Sequence, residues 1–254
     1  MKKIGLFIPC SFLVVILITS CLGDSNQKIT IANQPGVVMK SGNEVKVQLK
    51  DSIFIYSSQL SGVDNGDCLL LKYNLDYSLG VNADSGRQAG FFTVDLLEAN
   101  GVPLFPVLTE LDTTTTFRSE RLIKEIQQGY AYILGRLFLY TIHPVDSFQQ
   151  QNLFELAYNA KREPSGVDAN NNPVYNLYLR VFKNPNAEEQ RTSTPDRLFI
   201  NAFNLADIAA KEQATGKDSL FLKINYISSF SRDTSSITDW ASIQYAIPFH
   251  PGRR

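Results

Sequence analysis

The first part of the chain alternates apolar and polar positions with the period of two that is typical of half-buried β-strands. Four short runs alternate in this way or are apolar throughout, and they cover residues 44–49, 51–56, 68–73 and 91–97. Before the third run stands Asp64-Asn65-Gly66-Asp67, a strong turn signal because Asn-Gly accepts positive φ. Short strands joined by turns, with no helical period, predict a small β-barrel over residues 35–117.

The rest of the chain, residues 118–254, is also rich in strand patterns, at 130–142, 153–158, 174–182, 220–227 and 241–247. Apolar residues occupy every second position of 174–182, which indicates an antiparallel sheet with one solvated face. Residues 118–128 fit either a short amphipathic helix or another strand. One helix is predicted between Asn204, as its cap, and Gly216, as its end. The pattern predicts a β-sandwich with one short helix, and the Thr-rich run at 112–116 marks the domain boundary.

The N-terminus has the features of a bacterial lipoprotein signal. A basic start and an apolar run over 4–18 precede Thr19-Ser20-Cys21. The run is shorter than the roughly 20 residues that a helix needs to span a bilayer. We therefore expect a signal peptide over 1–20, acylation of Cys21 and a polar tether over 21–34. Several acyl chains on Cys21 form a stable membrane anchor.

Two stretches resemble the NigD-like lipoproteins of the Bacteroidetes. One runs from Asn65 to Tyr73 and is similar to the family's Gly-Asp turn and buried strand. The other is Phe203-Asn204-Leu205 with the strand at 218–226, similar to its helix start and returning strand. The resemblance implies an OB-like N-terminal barrel, a C-terminal β-sandwich, lipid anchoring at the outer membrane and no established activity. Only one acidic residue, Asp24, closely follows Cys21, so the sequence does not indicate which side of the outer membrane the protein faces.

Composition supports a globular protein and excludes some classes of partner. The 254 residues are 44% hydrophobic and 19% charged, which fits a sizeable core rather than disorder. The net charge is −1 and the chain has no polybasic run, which argues against nucleic acid. Of the three cysteines, Cys10 leaves with the signal and Cys21 takes the lipid, so no intramolecular disulfide can form. Cys68 lies in an apolar strand and is expected to be a buried packing thiol.

Sequence signatures of catalysis are missing. The chain contains no Gly-x-Ser-x-Gly, His-Glu-x-x-His, Cys-x-x-Cys or Gly-rich phosphate loop. Both histidines, His143 and His250, precede a proline and are expected in turns or at the surface. The segment from Asp168 to Pro173 is similar to the start of a calcium loop but lacks its closing Glu, so a hairpin turn is the better interpretation. We expect no catalytic residue, cofactor or metal.

An aromatic stripe supplies one hypothesis for binding. If residues 130–140 form one strand, Tyr130, Tyr132 and Arg136 share a face. Exposed rings beside an arginine would form a glycan-binding platform. The alternative is a central strand buried on both faces, in which tyrosine packs well.

The sequence favours a membrane-anchored envelope lipoprotein with a non-catalytic binding or structural accessory role. Its partners are the membrane, through the lipid on Cys21, and an envelope protein or a glycan. One alternative is a glycan-binding accessory of a polysaccharide-uptake system. Another is an envelope hydrolase that uses a pair of carboxylates, for which Asp64, Asp67 and Asp95 are the candidates.

Overall fold

The computed structural model describes residues 28–42, 44–50, 53–76, 90–111, 120–144, 152–184, 197–230 and 237–249. The first five strands close a small barrel in the order β1-β2-β3-β5-β4, with β1 also paired to β4. They are β1 (Lys28–Ser41), β2 (Glu44–Gln48), β3 (Phe54–Tyr56), β4 (Cys68–Asp76) and β5 (Phe91–Gly101). The predicted OB-like barrel is confirmed.

A second sheet follows, in the order β14-β13-β11-β9-β6-β12-β8-β7, with β10 paired to β11. Its strands and one short helix are β6 (Leu104–Leu108), β7 (Glu125–Ile133), β8 (Arg136–His143), β9 (Leu153–Ala157), β10 (Gly166–Val167), β11 (Pro173–Phe182), β12 (Arg197–Asn204), α1 (Ala206–Ala214), β13 (Ser219–Phe230) and β14 (Ile237–Pro248). The sheet curls until it is nearly closed, and both halves contribute to one apolar core. The predicted all-β class, with a barrel, a second β domain and one helix, is confirmed.

The structure places two boundaries differently from the sequence prediction. Residues 28–34, predicted as tether, already belong to β1, because Lys28 pairs with Asp76 at the end of β4. Leu104–Leu108, predicted within the barrel domain, joins the second sheet as β6, which pairs with β12 and β9. The barrel strands therefore end at Gly101 rather than near residue 117. Residues 118–128 do not contain a helix in their described part, since β7 begins at Glu125.

The two domains share an apolar cluster where they meet. Val37, Cys68 and Val102 come from the barrel and its exit, and Ala131 and Phe138 come from the hairpin of β7 and β8. Each of these side chains is buried. Cys68 is thus the packing thiol that the sequence predicted, and burial raises its pKa to about 11. Because hydrophobic contact holds the domains together, the surfaces on either side of this cluster have a fixed relation to each other.

Candidate functional site

A cleft of about 320 Å³ lies where the barrel, the β7–β8 hairpin, helix α1 and the end of β14 meet. Its lining is drawn from all four elements: Gln48, Leu49, Tyr132, Leu134, Gly135, Ala206, Ala209, Ala210, Gln213, Pro248 and Phe249. No charged side chain occurs in this lining. The volume is at the lower end of the range for small-ligand pockets, and the mixture of apolar groups with a few amides is typical of them.

The turn between β7 and β8 fixes one wall of the cleft. Leu134 and Gly135 both have positive φ, at 49° and 79°, as a two-residue hairpin turn of type I′ requires. The Gly135 carbonyl accepts a hydrogen bond from the Leu205 amide at 2.7 Å. A Cβ atom at position 135 would lie 2.9 Å from Ala206 Cβ. Only glycine therefore allows the turn to approach the start of α1 this closely.

Helix α1 forms the opposite wall and is held from both ends. The Ala206 amide donates to Asn204 Oδ1 at 3.1 Å, so the predicted capping residue binds the first helical amide, although it lies one position before the N-cap, Leu205. Gly216, with φ of 78°, follows the helix end as predicted. On the sheet side, the buried Tyr175 hydroxyl donates to Glu212 Oε1 at 2.6 Å. The helix is thereby fixed on β11, and its Ala-rich surface faces the cleft.

The prediction that Tyr130, Tyr132 and Arg136 share one face is wrong. Residues 130–140 are not one strand but a hairpin, and its two-residue turn places Tyr132 opposite Leu137. Tyr130 and Tyr132 pack against the core of the second domain. Arg136 pairs with Ile133 and so lies on the other face, towards the barrel. Its side chain comes near Gly66 and donates through Nη1 to the Leu134 carbonyl.

The two tyrosines have different surroundings. Tyr132 lines the cleft, and burial raises the pKa of its phenol. Tyr130 is also half-buried, but its hydroxyl donates to the Ala246 carbonyl at 2.6 Å and its ring packs against that of Tyr245. The Lys50 ammonium lies 5.9 Å from the Tyr130 ring centroid. Of the predicted platform, only Tyr132 faces a space that a ligand can enter.

His143 is not in a turn or at the surface, contrary to expectation. It ends β8 with only 1% of its surface exposed, and its ring packs edge-on against Phe154 and Phe199. Nδ1 lies 3.1 Å from the Leu122 carbonyl, and Nε2 lies 3.1 Å from Thr141 Oγ1. A carbonyl only accepts, so Nδ1 carries the proton and neutral Nε2 accepts from threonine. Burial lowers the pKa of this imidazole to about 4.

The segment from Asp168 to Pro173 is a hairpin turn between β10 and β11, as interpreted from the sequence. The Asp168 carboxylate accepts from the backbone amides of Asn170 and Asn172 and from the Asn172 side chain, which lowers its pKa. Its oxygens therefore stabilise the turn. No group of three His, Cys, Asp or Glu side chains suited to a metal occurs among the described residues.

The three candidate carboxylates for hydrolysis do not converge. Asp64 and Asp67 belong to the turn before β4, where Asp67 Oδ2 accepts from the Asp64 amide at 2.6 Å and Asp64 pairs with Lys40. Asp95 lies in β5 opposite Asn74, near the other end of β4. It lines a separate, polar groove of about 310 Å³ on the barrel. The geometry therefore offers no pair made from these residues.

Several predictions concern residues outside the described part of the chain. They are the signal peptide and Cys21, the Thr-rich run at 112–116, and His250. Within the described ranges, no helix is both long and apolar enough to cross a membrane.

Most of the cleft residues carry no signal in the sequence. Four separate segments build the cleft, and nothing in their local pattern predicts that they meet. The one usable signal is Leu134-Gly135, which interrupts an apolar run longer than most strands.

Comparison with known proteins supports the assignment of the barrel. Residues 25–100 match the family described as lipoprotein OB domain. A search of curated proteins finds no match. An uncharacterized protein from Parabacteroides merdae has the same fold, with 18% identity, a TM-score of 0.70, and 87% of this chain and 98% of that chain covered.

Two further structures are similar over most of the chain. A candidate lipoprotein from Bacteroides fragilis is 11% identical, with 89% of this chain and all of that chain covered at a TM-score of 0.54. A NigD-like immunity protein from Bacteroides caccae is 12% identical over 85% of this chain and 91% of that chain, at a TM-score of 0.47. The predicted OB-like domain of a lipoprotein is thus supported by the match over residues 25–100, and the fold of the described chain is shared with proteins from the Bacteroidetes.

Proposed function

We propose that this protein is a lipid-anchored, non-catalytic binding protein of the bacterial cell envelope, attached through Cys21 to the outer membrane. In this proposal the cleft between the barrel and the second domain is the binding site. The lipoprotein OB-domain match supports the anchor and the location in the envelope. An OB-type barrel alone does not define a ligand, because one fold supports many functions.

The observation that carries the proposal is the chemistry of the cleft lining. General acid–base catalysis needs a group that exchanges a proton near neutral pH, and covalent catalysis needs an activated nucleophile. The described lining supplies neither, since its one ionisable group is the Tyr132 phenol, whose pKa is raised further by burial. Such a surface can bind and exclude water without performing a reaction.

A glycan is a second candidate ligand for the same cleft. The rings of Tyr132 and Phe249 offer apolar faces, and the amides of Gln48 and Gln213 offer hydrogen bonds beside them. Aromatic faces with adjacent amides suit the apolar faces and hydroxyls of sugars. Arg136 takes no part in this version of the hypothesis, because it lies on the other face of the hairpin.

The anchor is tested by metabolic labelling with palmitate in cells that produce the full chain. The expected result is a labelled protein in the outer-membrane fraction. Cys21→Ala should remove the label, whereas Cys68→Ala, which changes a buried thiol, should keep it. Label that survives Cys21→Ala, or a wild-type protein without label, contradicts the proposed anchor.

The cleft is tested with one blocking variant and one matched control on the same helix. Ala210 is exposed and lines the cleft, while Ala214 is exposed and does not. The mature chain is screened on glycan and peptide arrays, and retained compounds are weighed by mass spectrometry afterwards. We expect Ala210→Trp to abolish retention, Ala214→Trp to preserve it, and the compounds to stay intact. Equal retention by both variants refutes the cleft as binding site, and cleaved compounds refute a non-catalytic role.

A further inference from the structure

The second sheet is left open along one line, between its two outermost strands β7 and β14. We call this line the seam. In the described part of the chain, no backbone hydrogen bond joins β7 to β14. Each strand is paired on one side only, β7 with β8 and β14 with β13. Two strand edges therefore face each other across the seam without a ladder between them.

The strand register shows which backbone groups point into the seam. On β14, the Phe249 amide bonds the Asp218 carbonyl on the β13 side. Because backbone direction alternates along an antiparallel strand, Ala246 and Gln244 point the other way, into the seam. On β7, Ile133 and Arg136 form the hydrogen-bonded pair next to a two-residue turn. The same alternation directs the N–H and C=O groups of Tyr130 and Tyr132 into the seam.

Tyrosine side chains, not a backbone ladder, close the seam, and two of them donate hydrogen bonds across it. The Tyr130 hydroxyl donates to the Ala246 carbonyl at 2.6 Å, and the Tyr245 hydroxyl donates to the Gln127 carbonyl at 2.8 Å. Their rings meet edge-on, with centroids 4.9 Å apart. Each of these two phenols donates a hydrogen bond to a carbonyl of the opposite strand. Neither accepts a hydrogen bond from an N–H group that faces the seam.

The seam leads into the cleft. Tyr132 on β7 and Pro248 on β14 stand on either side of the seam, and both line the cleft. Pro248 has no N–H, so at this position β14 cannot serve as a full pairing edge. Among the described residues, no backbone hydrogen bond across the seam involves Tyr132, so the β7 edge offers a donor and an acceptor there. The lining beside it is uncharged, which suits a partner segment with neutral side chains.

We propose that the occupant of the cleft is an extended polypeptide segment with neutral side chains, which pairs as an added β-strand with the β7 edge at Tyr132 and Tyr130. Main-chain hydrogen bonds to a free strand edge are a common mode of peptide recognition. To reach Tyr130, the added strand displaces the two phenols from their carbonyls and moves the β7 and β14 edges apart, because a strand lies about 4.8 Å from each neighbour. This inference rests on the proposed binding function and narrows it to one class of ligand.

The test uses random peptides displayed on phage and selected against the mature chain, with the best peptides then made synthetically. We expect Ala210→Trp to weaken their binding about tenfold or more and Ala214→Trp to leave it unchanged. Methylating peptide nitrogens one at a time should abolish binding at alternate residues only, because every second N–H of an added strand faces its neighbour. Hydrogen exchange of the Tyr130 and Tyr132 amides should slow when the peptide binds.

A second measurement addresses the phenols. The double variant Tyr130→Phe and Tyr245→Phe keeps both rings and removes both hydroxyls. Because the bound strand no longer competes with these hydrogen bonds, the peptide should bind about fivefold more tightly or better. The inference would be overturned by selected peptides whose binding is unchanged in Ala210→Trp, or by a methylation scan in which loss of binding does not alternate along the peptide. Glycans that bind and are blocked by Ala210→Trp, with no such peptide, would overturn it while preserving the proposed binding function.

Discussion

Acidification should destabilise this protein through His143, the buried imidazole at the end of β8. In the folded state its pKa is lowered to about 4, from an ordinary value of 6.5, because burial disfavours the charged ring. The unfolded chain therefore binds the proton at a higher pH than the folded one. The contribution of neutral His143 to stability is complete above pH 6.5 and is lost progressively as the pH falls towards 4.

The size of this effect follows from the gap between the two pKa values. Each pKa unit corresponds to about 1.4 kcal/mol, so the full gap is worth about 3.5 kcal/mol in the free energy of unfolding, of which about 3 kcal/mol is lost by pH 4. Protonation also disrupts a local contact. Nε2 accepts a hydrogen bond from Thr141, and a protonated ring can no longer accept it. That loss is already part of the lowered pKa and is not added to the estimate.

The assay is urea unfolding of the mature chain with Cys21→Ser, from pH 8 to pH 4, compared with the same chain carrying His143→Gln. Glutamine stays neutral throughout and offers one donor and one acceptor. Across this range, the chain with His143 should lose about 3 kcal/mol more of its free energy of unfolding than the glutamine variant. The NMR ring signal that is lost in His143→Gln should titrate far below 6.5. Parallel pH profiles, or a His143 signal that titrates near 6.5, would refute the reasoning.

Three other predictions concern the core and its buried groups. Gly36→Ala should destabilise the chain by about 1–3 kcal/mol in urea unfolding, because a Cβ there would overlap the Val47 side chain on the neighbouring strand β2, whereas Gly101→Ala, with open space around it, should change little. Glu120→Ala should lower the free energy of unfolding by about 3–5 kcal/mol. Arg180 Nε donates to this carboxylate at 2.5 Å in a buried pair, and the Arg180 charge would remain in the variant. The Cys68 thiol should resist a thiol-reactive dye at pH 8 until the protein is unfolded, because it is buried and its pKa is raised to about 11. Rapid labelling of the folded chain would contradict that arrangement.

The sequence predicted those features that depend on local pattern. Alternation and the Asn65-Gly66 turn were sufficient for four of the five barrel strands, because each of them buries one face and the turn has specific chemistry. The first strand, β1, was missed, because part of it was assigned to the tether. Helix α1 was predictable for the same reason, since Asn204 and Gly216 flank its two ends. In these cases the local preference and the tertiary structure agree.

Features that depend on the meeting of distant segments could not be predicted in this way. Leu104–Leu108 becomes a strand only because β9 and β12 flank it, and Pro106 inside it conceals the pattern. One unrecognised two-residue turn reversed the face of every residue after Leu134, which moved Arg136 away from the tyrosines. The burial of His143 likewise follows from Phe154 and Phe199, which the sequence does not place beside it.

The contact between the domains has a direct consequence for binding. Val37 and Cys68 from the barrel pack with Phe138 from the hairpin in one apolar cluster, so neither domain turns without exposing that surface to water. The cleft walls are therefore in place before a ligand arrives, and binding does not have to order them first. The seam differs, because side-chain hydrogen bonds close it and an added strand would replace them with a backbone ladder. A preformed cleft beside a seam that side chains close, rather than a backbone ladder, is the arrangement we expect of a protein that captures an extended partner.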